Sequence, residues 1–334
     1  MMPEHHNNRI NTRKIAESLA SAGRTANCAE PVPVYYNPDA GSSEKVLGII
    51  RSDSRIRLEE VSPVKMTKII EKAVEQGAKR VVISGGDGTI ALAAAQLAGT
   101  TTELAIIPSG TLNHFAQRTG IPVNAIEAIN VALNCKAQPV DAGYVNDSIF
   151  INTSSVGAYP VFVRSRNYLE NRMHYYSASI IAGLKRLLNF RPVRVHLADK
   201  QLRTPLVFIG VGERELRMPA FGRVKEHGRK GLHCIAVDCD SKLQVFKLVI
   251  KSFLGGVDPM NKEMTVENRL VNNIELNFRH RKKRVTVALD GELDRLRAPL
   301  QYRFAPGEIL VAVPGGDAEK TSFFQFSSES PDFP

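Results

Sequence analysis

VVISGGDGTI, residues 81–90, decides how this chain is read: an apolar, β-branched run stops at two glycines, an aspartate sits between glycines, and a threonine opens a small-residue segment. Glycines at the carboxyl end of a buried strand let the backbone approach a ligand closely. The N-terminus of the following helix offers unpaired N–H groups and the positive end of its dipole. Together these suit phosphate. Gly85 and Gly86 would supply the turn, and Gly88 and Thr89 would open the helix. Asp87 lies too close to be a phosphate ligand itself; its charge makes sense as a metal ligand or a helix cap. The patterns G-x-x-x-x-G-K-[ST] and G-x-G-x-x-G are both absent.

Outward from this loop, residues 33–134 alternate apolar strands with helical segments: VPVYYN then EKVLGIIRS, RIRLEE then VKMTKIIEKAVEQG, RVVISGG then GTIALAAAQLAG, LAIIPSG then NHFAQRTG. In the second helix Met66, Ile69, Ile70, Ala73 and Val74 recur on one face, and Gly77 stands where a C-terminal cap belongs. Near-continuously apolar strands between helices predict a doubly wound parallel sheet. A second loop, IIPSGTLNHFA at 106–116, brings Ser109, Gly110 and Thr111 to a helix entrance beside the first. A third, YYNPDAGSSE, turns at Asn37, Pro38 and Gly41, with Ser42 or Ser43 as cap. Such sheets bind ligands at their strand ends, so three loops surround one crevice.

After about residue 141 the pattern changes to strands and turns: SIFINTSSV, RVHLA, PLVFIGVG, LHCIAVD, NIELNF, RVTVALDGE and YRFAPGEILVAVP, with helical stretches around 167–188 and 243–254. This predicts an antiparallel β-sandwich. The expected organisation is a mobile extension over 1–31, an α/β domain over 32–142 rejoined by 304–315, a sandwich domain over 143–303, and a polar tail over 316–334. A short amphipathic helix around 15–19 is also expected.

The chain has 334 residues, 43% hydrophobic and 23% charged, and no apolar run nears the roughly 20 residues that cross a bilayer. Its N-terminus lacks the apolar core of a secretory signal, which predicts a cytoplasmic protein. Four cysteines without C-x-x-C spacing read as reduced thiols, not a zinc site. Net charge is +10, divided as +1 over 1–142, +13 over 143–303 and −4 over 304–334. The clusters RHRKKR at 279–284, 185–203 and 217–230 would attract a polyanion: nucleic acid, an anionic bilayer or a phosphorylated substrate. They lack interleaved aromatic residues, which disfavours nucleic acid.

Gly-Gly-Asp-Gly-Thr at 85–89, Pro-Ser-Gly-Thr-Leu-Asn-His-Phe-Ala at 108–116, Asn37-Pro38-x-x-Gly41 before them and Leu-Asp-Gly-Glu at 289–292 after them jointly resemble the diacylglycerol kinase catalytic-domain family, which includes bacterial lipid kinases and sphingosine and ceramide kinases. The resemblance runs from about residue 33 to 314. It implies ATP and Mg²⁺ as cofactors. The α/β domain would bind ATP and the sandwich domain the lipid, with EILVAVP returning to the first sheet. Carried over by position, Gly85, Gly86, Asp87, Gly88 and Thr89 would hold the phosphates and Mg²⁺ (Asp87 as metal ligand). Asn37, Gly110, Thr111 and Asn113 would line the nucleotide side, and Asp290 and Glu292 would include the general base.

Phosphoryl transfer to a hydroxyl is mostly positioning and charge neutralisation, with a carboxylate accepting the proton. The expected protein is a lipid kinase acting on diacylglycerol or a similar alcohol, peripherally attached to an anionic membrane and free to form a homodimer. The basic residues and the helical stretch around 167–188 would serve the surface contact. Two departures stand out. His114 replaces the acid usual after Asn113. Lys230 and His233 in RKGLHC stand where relatives carry two acids that hold a structural Mg²⁺, so no such ion is expected. The alternatives are an NAD kinase, which shares Gly-Gly-Asp-Gly-Thr, and a catalytically inactive lipid-binding relative.

Overall fold

The computed structural model describes residues 31–40, 43–157, 193–197, 200–204, 206–215, 224–225, 227–237, 266–278 and 283–315. The helical stretches expected around 15–19, 167–188 and 243–254, and both tails, lie outside the described residues. In chain order the first part runs β1 (Val32–Tyr36), α1 (Glu44–Ser52), β2 (Ile56–Glu60), α2 (Pro63–Glu75), β3 (Arg80–Gly85), α3 (Asp87–Leu97), β4 (Glu103–Pro108), α4 (His114–Arg118) and α5 (Ala125–Asn134). There follow β5 (Ala137–Val145), β6 (Ser148–Phe150), β7 (Thr153–Gly157), β8 (Val193–Leu197), β9 (Lys200–Thr204), β10 (Leu206–Val211) and β11 (Leu232–Val237). The last strands are β12 (Val266–Val271), β13 (Asn273–Leu276), β14 (Arg284–Leu289), β15 (Glu292–Arg297) and β16 (Leu300–Ala312).

Helix limits follow from local chemistry. The Ser62 hydroxyl accepts the Lys65 N–H at 3.4 Å ahead of Pro63, which starts α2, and Gly77 at φ +66° ends it. Asn124 accepts the N–H groups of Ile126 and Glu127 at 3.0 and 3.3 Å and starts α5. Ser43 is the N-cap of α1, yet its side chain caps nothing. Helix α3 begins at Gly86 with no side-chain cap, so its first N–H groups stay open toward the strand ends.

Eight strands form one mixed sheet, β2-β1-β3-β4-β16-β5-β6, with β13 also on β16. Its β2-β1-β3-β4 part is parallel. Alternation along the buried strands feeds both faces: Val81, Ile83, Leu104 and Ile106 meet α2 and α3, whereas Val82, Ala105 and Ile107 meet α1 and α5. A second sheet, β12-β11-β10-β7-β14-β15, is antiparallel throughout, and β8 and β9 form a separate pair.

Strand β16 joins the two cores. Val311 pairs in parallel with Leu104 of β4, while the strand runs antiparallel to β5 along its length with a bulge between Ala305 and Ile309. Beyond the bulge Ile309 and Val311 enter the α/β core; before it Leu300 and Tyr302 enter the core beneath the second sheet. The segment SIFINTSSV, expected as one strand, divides into β6 and β7, which lie in different sheets. The break falls at Ile151 and Asn152.

At Gly143, a Cβ would stand 2.4 Å from Cζ of the fully buried Phe150, whose ring meets Tyr302 edge-to-face at 6.0 Å. Gly143→Ala is expected to destabilise the fold by about 1–3 kcal/mol through overpacking, with Phe150→Leu recovering part of the loss in a double-mutant cycle followed by thermal unfolding.

Candidate functional site

Three loops meet at the carboxyl ends of β1, β3 and β4. The Ser109 N–H donates to the Gly85 carbonyl at 3.1 Å, and the Ser43 N–H donates to the Ser109 carbonyl at 2.9 Å. Backbone meets backbone between the two glycine loops: a Cβ on Gly110 would lie 2.5 Å from Cα of Gly86, and one on Gly86 would lie 3.2 Å from Cα of Gly110. Only glycine permits that approach. Gly85 has a different reason to lack a side chain, since its Cβ would meet Thr89 Cβ at 2.6 Å.

The polar residues of these loops are partly engaged in holding them. Asn113, left-handed at φ +51°, accepts the Gly110 N–H at 3.0 Å and donates to the Gly110 carbonyl at 2.7 Å, which staples the Ser-Gly-Thr loop from within. Buried Asn37 accepts the Asp39 N–H at 3.1 Å. Asp87 accepts the Phe115 N–H at 3.0 Å and so caps α4 from the neighbouring loop, through Oδ1 alone. Gly88 and Thr111 are exposed, and Thr89 is buried against Gly85. The uncapped N-terminus of α3 lies at these strand ends with exposed Gly88 and Thr111, backbone chemistry of the kind that suits an anion.

Across the crevice stands the β14–β15 hairpin. Asp290 at φ +47° and Gly291 at φ +95° form its two-residue turn, the geometry that Asp-Gly favours. The turn separates its two acids. Glu292 is exposed, and its Oε1 comes within 3.7 Å of where a Cβ on Gly88 would be. Asp290 turns inward: Oδ2 accepts the Ile151 N–H at 2.7 Å, and Oδ1 accepts the N–H groups of Asn152 and Thr153 at 2.7 and 2.8 Å. Both acids were expected to project from a rigid turn, with one of the two, left open by the sequence, reaching an acceptor hydroxyl. Only Glu292 stands open to the crevice; Asp290 is committed to the break between β6 and β7.

Two arginines that the sequence patterns did not single out surround Asp290. Arg118 donates to the Asp141 carbonyl at 2.8 Å and lies over the Phe115 ring at 5.2 Å, while its buried Nε has no partner among the described residues. Arg214 donates to the carbonyls of Asn152 at 2.6 Å and Val211 at 3.0 Å. Burial pulls both guanidiniums down to about 10, and the like charge of Arg118 adds to the effect on Arg214, whereas Asp290 opposes it for both. Burial pushes the Asp290 carboxyl up, opposed by its three N–H donors and Arg118. The carboxylate therefore favours the charged forms of two buried guanidiniums. The sequence clue is faint: Gly210 is required four residues before Arg214, because a Cβ there would meet Arg214 Nε at 2.6 Å.

Lys230 and His233 have ordinary structural partners. His233 is buried, accepts the Arg214 N–H through Nδ1 at 2.7 Å and pairs through Nε2 with Asn268; burial lowers its pKa, which keeps it neutral. Exposed Lys230 lies 3.8 Å from Asp141 Oδ1. Among the described residues no three His, Cys, Asp or Glu side chains converge on a metal position. Mg²⁺ brought by a nucleotide needs no such cage, since one or two carboxylates and phosphate oxygens suffice, and Asp87 Oδ2 fits that requirement.

Comparison with known proteins adds to this geometry. Residues 31–145 match the diacylglycerol kinase catalytic domain. A protein of Cronobacter sakazakii named Probable lipid kinase YegS-like is 40% identical over 95 residues, 27% of this chain and 32% of the relative. One of the same name from Chromohalobacter salexigens is 32% identical over 151 residues, 43% of this chain and 49% of the relative. The chain thus matches half or less of these relatives' own length. The crystal structure of a diacylglycerol kinase from Bacillus anthracis superposes with a TM-score of 0.57 at 19% identity, covering 85% of this chain and 97% of the other, which is a likeness of fold. No helix among the described residues is long and apolar enough to cross a membrane. The matched region is diacylglycerol kinase-like, as the glycine loops within it suggest.

Removing the Asp290 charge tests the division of labour within the turn. Asp290→Asn places an NH₂ or a lone carbonyl against three N–H donors and removes a charge that favours the cationic forms of Arg118 and Arg214; a loss of about 3 kcal/mol in chemical unfolding is expected. Glu292→Gln, on an exposed side chain, is expected to leave stability within about 0.5 kcal/mol of the parent.

Proposed function

We propose that the protein is an ATP- and Mg²⁺-dependent lipid kinase, with Glu292 as general base. The observation that carries this reading is the position of the Glu292 carboxylate beside Gly88, opposite two glycine loops locked together at Gly86 and Gly110. In this reading the open N–H groups of α3 and the Ser109–Thr111 loop hold the phosphates of ATP. Gly85, Gly86 and Gly110 allow the close approach, and Asn37 and Asn113 keep the loops in shape. Mg²⁺, bound through phosphate oxygens and Asp87, would neutralise the charge of the transferred group.

The hydroxyl of the lipid would enter between the crevice and the hairpin turn. Glu292 takes its proton as the oxygen forms a bond to the γ-phosphorus and the bond from that phosphorus to the bridging oxygen of ADP breaks. Asp290 acts one step removed. Pinned to residues 151–153, it sets the height and direction of the turn, so Glu292 is presented without reorganisation. Diacylglycerol is the acceptor we favour, by likeness to the matched family. Reaching that acceptor as a peripheral protein on an anionic membrane, cytoplasmic location and homodimer formation are further parts of the proposal.

Incubation with γ-labelled ATP, Mg²⁺ and detergent-dispersed diacylglycerol should yield labelled phosphatidic acid. Glu292→Gln is expected to lower kcat by about 10²–10⁴-fold while leaving the KM for ATP within about twofold. Transfer to NAD in place of lipid, or full turnover by Glu292→Gln, would overturn the reading.

A further inference from the structure

The hairpin that carries Glu292 has a second face. Residues opposite one another across an antiparallel ladder share a side of the sheet. On one side Val285, Val287 and Leu289, with Leu296, pack on the core beneath the second sheet. On the other, Arg284 lies opposite Arg297, Thr286 opposite Arg295, and Ala288 opposite Leu293. Ala288, nearest the turn, is buried, whereas Arg284, Arg295 and Arg297 at the far end are exposed, as is Lys283 beside them.

This arrangement opposes ordinary folding economy. Like charges directly across a ladder are destabilising, yet Arg284 faces Arg297 with Arg295 beside them. Among the described residues none of the three forms an ion pair. The acids of the hairpin are kept away: Asp290 belongs to the turn, and Glu292 and Asp294 alternate to the opposite side. β15 is an edge strand, and one charge would suffice to guard such an edge against pairing. Three guanidiniums on a rigid sheet make instead a flat array of forked donors, the chemistry that grips phosphate oxygens.

We propose that the exposed face formed by Arg284, Arg295 and Arg297 docks on the phosphate headgroups of an anionic bilayer. The inference rests on the lipid kinase reading and adds to it where the protein meets the surface. With the face against headgroups, the hairpin lies along the membrane. Its turn is six residues from Arg284, roughly 20 Å at ~3.4 Å per residue, and Glu292, opposite Leu289 on the core-facing side, stands just behind the docked face, near the depth of an acceptor hydroxyl. Relief of the repulsion between Arg284 and Arg297 adds to the attraction of each cation for the surface.

Co-sedimentation with phosphatidylcholine vesicles, with and without phosphatidylglycerol, tests this directly. The variant Arg284→Gln/Arg295→Gln/Arg297→Gln should bind phosphatidylglycerol vesicles at least about tenfold more weakly than the parent. A control with the same charge change on exposed α2 residues, Lys65→Gln/Lys68→Gln/Lys72→Gln, should bind like the parent. The hairpin variant should keep or slightly raise its unfolding temperature and keep its transfer to detergent-dispersed lipid. Equal losses in both variants would reduce the effect to net charge and overturn the proposal, as would unchanged binding by the hairpin variant or no vesicle binding by the parent. Vesicle binding without phosphoryl transfer would overturn the kinase reading and leave the docking face standing.

Discussion

The carboxylate of Asp290, held by three consecutive backbone N–H groups, is the contact on which the arrangement of the site depends. Residues 151–153 are where the chain leaves the mixed sheet after β6 and enters the antiparallel sheet as β7. A chain that switches sheets exposes N–H groups no ladder can satisfy, and burying them unpaired would cost about 1–3 kcal/mol each. A single carboxylate satisfies all of them. It carries its own desolvation penalty, which is why Arg118 and Arg214 stand beside it and why each loses part of its affinity for the proton. The same contact fixes the β14–β15 turn, and so Glu292 reaches Gly88 from a rigid base.

On the other side of the crevice the constraint is steric. Gly86 and Gly110 touch through their backbones, so neither loop can shift without the other, and Ser43 ties the first loop into the same network. The loops are held by residues that a family likeness would assign to the ligand: Asn113 staples its own loop and Asp87 caps α4. A residue within a nucleotide loop can act by shaping backbone as much as by touching phosphate.

Much of this was legible in the sequence where period and punctuation agree. The continuous apolar strands, the one-sided face of Met66, Ile70 and Ala73, and Gly77 after the helix led to the parallel α/β part with the right element order. Helix α5 escaped, although Asn124 and Glu127 have the spacing of a capping pair and Ala125, Ala128, Ile129 and Ala132 recur on one buried face. β12 and β15 escaped because VENRLV and ELDRLR carry charges on a strand whose pairing is set by its neighbours, not by its own propensity. SIFINTSSV reads as one strand because the sheet change inside it is imposed by Asp290, almost 140 residues away. The turn Leu-Asp-Gly-Glu was legible as a hairpin; the inward and outward paths of its two acids were not, since they depend on Arg118 and Arg214, which no local pattern connects to it.

Nucleotide binding at the strand-end crevice is the premise of the proposed reaction. Its most direct test is a titration of the isotopically labelled protein with a non-hydrolysable ATP analogue and Mg²⁺, followed by backbone amide resonances. The largest shifts are predicted at residues 85–89 and 110–113, with smaller ones at Glu292. Shifts confined to other strands, or none at the glycine loops at saturating nucleotide, would contradict it.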